Sequence, residues 1–152
     1  MNFWQAVQMG FANYVKFNGR AVRSEYWYWV LFVSIVALAA TLLDLATVHH
    51  RHGPFEGLWT LVTFLPGLAI AVRRLHDIDR SGWWMLLPVS VVGIFAVTLL
   101  IYAVTGAFVW ILPILAVIGL ILILFYWFCQ PGTPGPNRFG PDPFASTPPP
   151  VA

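Results

Sequence analysis

The chain has 152 residues, of which 59% are hydrophobic and 9% charged, and its formal net charge is +2. A soluble domain usually carries about 25% charged residues, and a chain this short cannot bury so much apolar surface in a core of its own. The eight Lys and Arg residues stand at the ends of apolar runs and form no basic face, which argues against a nucleic-acid-binding protein. We therefore expect one polytopic membrane domain.

The first predicted element is an amphipathic helix over residues 2–15. At 100° per residue its apolar side chains fall within one arc, and its asparagine and glutamine side chains lie outside that arc. The segment is too polar to span a membrane, so we expect it to lie in the interface or to pack on the helical bundle. The arc consists of Phe3, Trp4, Val7, Phe11, Tyr14 and Val15.

Four apolar segments follow, and each is interpreted as a membrane-spanning helix, which needs about 20 apolar residues. The second segment contains Pro66-Gly67, which predicts a kinked helix, and Thr105-Gly106 supplies the turn between the third and the fourth. The expected fold is all-α, a four-transmembrane-helix bundle with an N-terminal interfacial helix. The predicted spans are residues 26–45, 57–72, 83–104 and 107–128.

Polar residues between the first two spans are expected to face water. Asp44 falls at the far end of the first span, where it can reach headgroups, since an aspartate at mid-bilayer costs at least ~2.5–3.5 kcal/mol. A short histidine-rich tract can bind a transition metal, but here Glu56 is the only acidic neighbour, and a plain polar loop over residues 46–56 is favoured. The histidines of this loop are His49, His50 and His52.

Residues 73–82 carry the densest charge in the chain and are interpreted as the loop between the second and third spans. Their arginines can bind lipid phosphates through bidentate hydrogen bonds, and their two aspartates can pair with the arginines. His76 with the aspartates could form a metal site, although three mixed ligands on one loop are a weak signal. We favour a membrane anchor with a structural ion-pair network over a lipid or partner site, and both over metal binding or catalysis.

The basic residues that flank the spans predict the orientation of the chain. In a four-span topology seven of them lie on one side and Arg51 alone lies on the other. The first side is therefore expected to be cytoplasmic, and so are both termini. The seven are Lys16, Arg20, Arg23, Arg73, Arg74, Arg80 and Arg138.

The pattern Arg-Ser-x-aromatic-Trp occurs twice, at residues 23–27 and 80–84, each time at the start of a predicted span. It could be the relic of a duplicated two-span unit. The interpretation that we favour is that both places need the same parts, which are arginine for lipid phosphate, serine for an N-cap and tryptophan for the interface.

The sequence carries no signal for catalysis or for a cofactor. It has no Gly-rich phosphate loop, paired catalytic carboxylates or nucleophile elbow, and no predicted span has a charged residue near its centre or a histidine for haem. Cys129 is the only cysteine, so no intramolecular disulfide can form, and we expect a buried thiol. We therefore expect neither an enzyme nor a bound cofactor.

Four motifs follow one another along nearly the whole chain. They are Phe-Asn-Gly-Arg with Arg-Ser-Glu-Tyr-Trp at residues 17–27, Arg-Arg-Leu-His-Asp at 73–77, Arg-Ser-Gly-Trp-Trp at 80–84 and Asn-Arg-Phe-Gly-Pro-Asp-Pro at 137–143. In this order they closely resemble the DUF805 family of bacterial inner-membrane proteins, which usually has glycine where this chain has Asp79. The resemblance implies a bacterial plasma-membrane protein and implies no enzyme activity.

The polar residues of these motifs all fall on the predicted cytoplasmic side. We expect them to form one layer of ion pairs and hydrogen bonds, with residues 137–143 folded back onto residues 73–80 and Asp77 paired with an arginine of the first motif. The layer is the candidate site for lipid or partner binding. Its members are Arg20, Arg23, Glu25, Arg73, Arg74, His76, Asp77, Arg80, Asn137, Arg138 and Asp142.

We interpret the chain as one membrane domain over residues 1–143, followed by a proline-rich disordered tail over residues 144–152. The expected function is that of a non-enzymatic binding or scaffold protein whose partners are membrane lipids, with a protein partner or a homo-oligomer as further candidates. The alternative is a small-molecule transporter or channel subunit, which would need a polar cavity between the spans. An enzyme ranks third.

Overall fold

A computed structural model describes residues 1–47, 53–106 and 111–144. Within them lie the helices α1 (Phe3–Ala12), α2 (Arg23–Thr47), α3 (Pro54–Asp77), α4 (Leu87–Thr105) and α5 (Ile111–Cys129), and a 3₁₀ helix (Gly82–Leu86) leads into α4. In this part of the chain α2, α3, α4 with its 3₁₀ turn, and α5 are long and apolar enough to cross a membrane. The predicted all-α fold with four spans is therefore confirmed.

Helix α1 is shorter than predicted, and its buried face is narrower. It ends at Ala12, and Asn13 is its C-cap, where both the backbone N–H and the side-chain amide donate to the carbonyl of residue 9. Tyr14 and Val15, which the prediction placed on the apolar arc, therefore follow the helix. Trp4 belongs to the same arc but is 66% exposed, so it faces the surroundings of the bundle and not its core.

Helix α1 crosses α2 and does not run alongside it. Phe3 and Phe11, which lie at opposite ends of α1, both contact the ring of Phe32, with centroid distances of 6.4 and 6.1 Å. Gly10 makes the crossing possible, since a Cβ atom at this position would overlap the buried ring of Trp29. The predicted packing of this helix on the bundle is thus present.

Asp44 does not reach water, contrary to expectation. Its residue is fully buried, and its two carboxylate oxygens accept the backbone N–H groups of Phe55 at 3.1 Å and Glu56 at 2.8 Å. The N-cap residue of α3 is Gly53, which has no side chain to satisfy these donors. A carboxylate from α2 therefore caps α3 and lies at the positive end of its dipole, which offsets the cost of burial.

Helix α3 extends beyond the predicted span at both ends and contains the buried Pro66 in its interior. Residues 73–77, which were interpreted as a loop, form its last turns. The helix ends in a Schellman motif, in which the Arg80 N–H bonds the carbonyl of Leu75 at 2.9 Å and the Asp79 N–H bonds that of His76 at 3.1 Å. Asp79 has φ +56°, the left-handed region that favours glycine.

The four spans form two antiparallel hairpins, α2–α3 and α4–α5. In the described part of the chain no Cα atom of α4 lies within 8 Å of one in α2 or α3. The hairpins meet near one end, where Tyr26 stacks on Phe128 at 4.5 Å and Trp27 contacts Phe125 at 5.8 Å. We call this the charged end: the first turn of α2, the last turns of α3 and α5, and the segments 16–22, 78–81 and 130–144.

Some predictions fall outside the described residues. They concern Arg51, the histidines His49, His50 and His52, the start of the fourth span at residues 107–110, and the tail beyond residue 144. The turn before the fourth span is described as far as Gly106, which caps α4 at φ +67° and agrees with the predicted turn.

Candidate functional site

Asp77 is the centre of the charged end. Its residue is 3% exposed, and its carboxylate accepts Nε of Arg20 at 3.0 Å and Nη1 of Arg74 at 2.5 Å. Arg20 precedes α2, and Arg74 lies one turn before Asp77 on α3. The arginine of the first motif that pairs with Asp77 is therefore Arg20. A carboxylate shared by two buried guanidinium groups is stabilised only while both hydrogen bonds remain.

The same two residues bind the segment that follows α5. Arg20 donates through Nη1 to the Gly135 carbonyl and through Nη2 to the Thr133 carbonyl, both at 2.6 Å. The backbone carbonyl of Asp77 accepts the N–H of Thr133 at 2.8 Å and its hydroxyl at 3.1 Å. A Cβ atom at Gly132 would overlap the Asp77 carboxylate. The backbone can therefore approach the Asp77 carboxylate this closely only because residue 132 has no Cβ atom.

A second buried ion pair connects α2 and α3. Arg73 Nη1 donates to Glu25 Oε1 at 2.7 Å, and the two side chains are 4% and 3% exposed. The Arg73 carbonyl accepts the N–H of Ala21 at 3.0 Å, so the backbone before α2 is held at the same level. Nε and Nη2 of Arg73 are buried without a hydrogen-bond partner. Among the described residues, Glu25 is therefore the one that neutralises the charge of this guanidinium.

Arginines from other elements cap the C-terminus of α5, which has no basic residue in its own last turn. Arg74 donates to the carbonyls of Phe128, at 3.3 Å, and Gln130. Arg23 Nη1 lies 3.4 Å from the carbonyl of Cys129. These carbonyls are at the negative end of the helix dipole, where cations are stabilising.

Sequence reasoning assigned none of the arginines to this capping role. The sequence offered one indirect indication of this capping. The last turn of α5 contains no cation of its own, so any cation near its carbonyls had to come from another element. Cys129 also differs from expectation, since its side chain is exposed and not buried.

The segment after α5 folds back onto the end of α3. Asn137 Nδ2 donates to the His76 carbonyl at 2.8 Å, and the ring of Phe139 stacks on the His76 imidazole at 3.9 Å. Arg138 pairs with Asp79 at 3.2 Å, but these side chains are 61% and 47% exposed, so the pair contributes little. The fold-back expected from the motifs is present, and its contacts with His76 are made by Asn137 and Phe139.

Asp142 plays a more local role than the sequence suggested. Its carboxylate accepts the backbone N–H groups of Phe144 and Gly135, each at 2.9 Å. These hydrogen bonds lower the pKa of Asp142 below its ordinary value. Asp142 thus closes the loop over residues 135–144, and it forms no ion pair with the described part of α3.

Three cations at the charged end have no carboxylate within ion-pair distance among the described residues: Lys16, Arg23 and Arg80. Arg80 lies over the ring of Trp127, 4.2 Å from its centroid, and Arg23 and Lys16 are exposed. The described residues contain no cluster of three His, Cys, Asp or Glu side chains that could hold a metal ion. The chemistry that these three cations offer is hydrogen-bond donation to anions.

These features place the chain among the polytopic α-helical membrane proteins. Its charged end is folded into a layer of ion pairs. A family model described as protein of unknown function (DUF805) matches residues 14–141, and the chain belongs to this family. The resemblance stated from the motifs is therefore confirmed, and the φ angle of Asp79 is one that glycine adopts without strain.

The relatives are bacterial membrane proteins. The chain is 41% identical to inner membrane protein YhaH of Escherichia coli (strain K12) over 135 residues, covering 86% of this chain and 89% of YhaH. It is 39% identical to inner membrane protein YhaI of the same strain over 133 residues, covering 86% and 88% of the two chains. No solved structure matches the chain. Together with the four apolar helices, these relatives identify a multi-pass inner-membrane protein.

Proposed function

We propose that this protein is a non-enzymatic binding or scaffold protein of the inner membrane, whose charged end faces the cytoplasm and contacts phospholipid headgroups. The orientation rests on the excess of Lys and Arg at this end, seven of the eight in the chain. The buried ion pairs support the scaffold role, because they hold the segments of the charged end in one fixed arrangement.

The observation that carries the proposal is the difference between two groups of arginines. Arg20 and Arg74 are buried and donate to a carboxylate and to carbonyls, so they have little left to offer a ligand. Arg23 and Arg80 have no carboxylate partner in the described chain. Arg80 lies over the ring of Trp127, and Arg23 begins α2, four residues before Trp27. Arginine next to tryptophan at the end of a span is suited to a phosphate at the headgroup level.

Exposed tryptophans support the same location. Trp83 is 78% exposed and Trp84 is 42% exposed, and both follow Arg80 at the start of the third span. Indole rings favour the membrane–water interface, where one edge is apolar and the other can donate a hydrogen bond. We therefore narrow the proposed binding surface from the eleven predicted residues to Arg23, Arg80 and the residues around them.

The test compares a double variant, Arg23→Gln with Arg80→Gln, with the control Arg138→Gln. The control removes one positive charge at the same end from an exposed pair. Native mass spectrometry would measure phospholipid retained by the purified protein. A charge-assisted hydrogen bond contributes about 1.5–3 kcal/mol, so we expect retention to fall at least tenfold in the double variant and little in the control. Equal retention in all three proteins would refute headgroup contact.

The same comparison separates lipids from a protein partner. A co-purifying protein lost from the double variant, with phospholipid retention unchanged, would assign the surface to that partner. The flux of small solutes in liposomes is measured alongside, because a transporter or channel subunit would change it.

Cys129 provides an independent test of the orientation. It is the only cysteine of the chain, and it is exposed at the charged end. A membrane-impermeant maleimide should label it in inside-out inner-membrane vesicles and leave it unlabelled in intact spheroplasts. Labelling in spheroplasts alone would place the charged end outside the cytoplasm and overturn the proposed topology.

A further inference from the structure

A cavity of about 600 Å³ lies between α1, the start of α2 and the end of the described tail. One wall is the polar side of α1, with Gln5 and Gln8, and the opposite wall contains Ser24 and Glu25. Because the cavity lies beside the first turn of α2, which begins a candidate membrane span, we expect it at the headgroup level. Apolar side chains complete it, namely Met1, Met9, Val22, Pro143 and Phe144.

The charged group available to a ligand in this cavity is the Glu25 carboxylate. The residue is 2% exposed, Oε1 accepts from Arg73, and no hydrogen bond of the described residues reaches Oε2. Arg20 also lines the cavity, but its guanidinium nitrogens already donate to Asp77, Thr133 and Gly135. A carboxylate oxygen that lines a cavity and accepts no hydrogen bond from the described residues is suited to the N–H groups of a ligand ammonium.

A second cavity, of about 410 Å³, adjoins the first and shares Val22, Ser24 and Phe144 with it. It is lined by Arg23, whose guanidinium makes one long contact of 3.4 Å to a backbone carbonyl and so has donors to spare. It also lies at the N-terminus of α2, where the N–H groups before Tyr26 have no partner within the helix. Asp77 also lines this cavity, and its carboxylate is neutralised by Arg20 and Arg74. The Arg23 guanidinium and the N–H groups at the start of α2 are therefore suited to a phosphate.

We propose that the two cavities together bind an aminophospholipid headgroup, with the ammonium at Glu25 and the phosphate at Arg23 and Ser24. This inference rests on the proposed function and names the lipid class. A zwitterion matches the two cavities, because its ammonium would face the Glu25 carboxylate in the first and its phosphate would face the Arg23 guanidinium in the second. The apolar wall with its two methionines accommodates the glycerol and the first methylenes.

The primary experiment uses the unmodified protein and three lipids with identical acyl chains: phosphatidylethanolamine, phosphatidylcholine and phosphatidylglycerol. Affinities are measured by native mass spectrometry with graded lipid. The ethanolamine lipid should bind about tenfold more tightly than the other two, because choline has no N–H group to donate and glycerol has no charge. Equal affinity for the three lipids would overturn the inference.

Variants then assign the residues. Glu25→Gln should reduce the preference for ethanolamine over choline to about twofold or less, whereas Asp79→Asn, which removes an exposed carboxylate at the same end, should keep it. A preference that survives Glu25→Gln in folded protein would refute the role of Glu25. Glu25→Gln removes the partner of a buried arginine, so its thermal unfolding is measured first. If this variant does not fold, the affinities of the unmodified protein for the three lipids decide whether the inference holds.

Two further outcomes separate this inference from the function on which it rests. Phospholipid retention that depends on Arg23 and Arg80 but not on headgroup type would support headgroup contact and refute the aminophospholipid site. Competition by soluble phosphoethanolamine at the same concentration as the lipid would assign the site to a free metabolite of the same chemistry and refute the lipid as its ligand.

Discussion

Replacing Asp77 with asparagine keeps the shape of the side chain and removes the one negative charge between Arg20 and Arg74. Both guanidinium groups would stay buried, because their other donors bind carbonyls of residues 128–135. Removing one partner of a buried ion pair costs about 3–5 kcal/mol. That is a large part of the roughly 5–15 kcal/mol by which a domain is stable, and it corresponds to a fall in Tm of about 6–20 °C.

The assay is thermal unfolding of the purified protein in mild detergent, followed by intrinsic tryptophan fluorescence. Asp79→Asn is the matched control, because it removes the same charge two residues further on from an exposed ion pair, which contributes at most about 1 kcal/mol. Asparagine also tolerates the left-handed conformation of that position. Equal changes in Tm for the two variants, or a change below about 3 °C for Asp77→Asn, would refute the central role of the buried carboxylate.

Three further predictions concern single positions at the charged end. Gly132→Ala should cost about 1–3 kcal/mol of unfolding free energy, because its methyl group would overlap a carboxylate that two arginines hold, whereas Gly57→Ala on α3, with open space around it, should be neutral or stabilising. Asp79→Val should lower Tm and Asp79→Gly should not, since φ is +56° there. Asp142 has a lowered pKa in the folded protein, so it stabilises the loop above the pKa of the unfolded chain, and this stabilisation is lost as pH falls through the folded value. Amide hydrogen exchange at Gly135, corrected for its intrinsic rate, should therefore rise in acid, and Asp142→Asn should remove that pH dependence.

The motifs predicted which segments meet at the charged end, but not which acceptors each arginine would bind. Their order indicated that residues 137–143 meet the end of α3, and the structure has Asn137 on the carbonyl of His76. Their composition could not show that Arg74 would donate to α5 as well as to Asp77. A guanidinium has five donors, and the acceptors that they reach depend on which helix ends come together in space.

Two predictions about charged residues were wrong for the same physical reason. Asp44 was expected in water and residues 73–77 in a loop, because an isolated charge is costly inside a bundle. In the structure the N-terminus of α3 satisfies Asp44, and Glu25 and Asp77 neutralise the arginines of α3, so these segments remain buried and helical. The partners of Asp44 and Arg73 come from other elements and are invisible in a local window of sequence, whereas Asp77 lies on α3 itself, three residues after Arg74.

The sequence by itself determined that the chain is a membrane protein with four spans preceded by a short N-terminal helix, because hydropathy and length are properties of each segment alone. Only the tertiary structure decided which charges pair, since Arg20 lies 57 residues from Asp77 and 113 from the carbonyl of Thr133. It also separated the arginines that form buried ion pairs from Arg23 and Arg80, which have no carboxylate partner in the described part of the chain. That separation depends on desolvation and geometry, and neither can be read from composition.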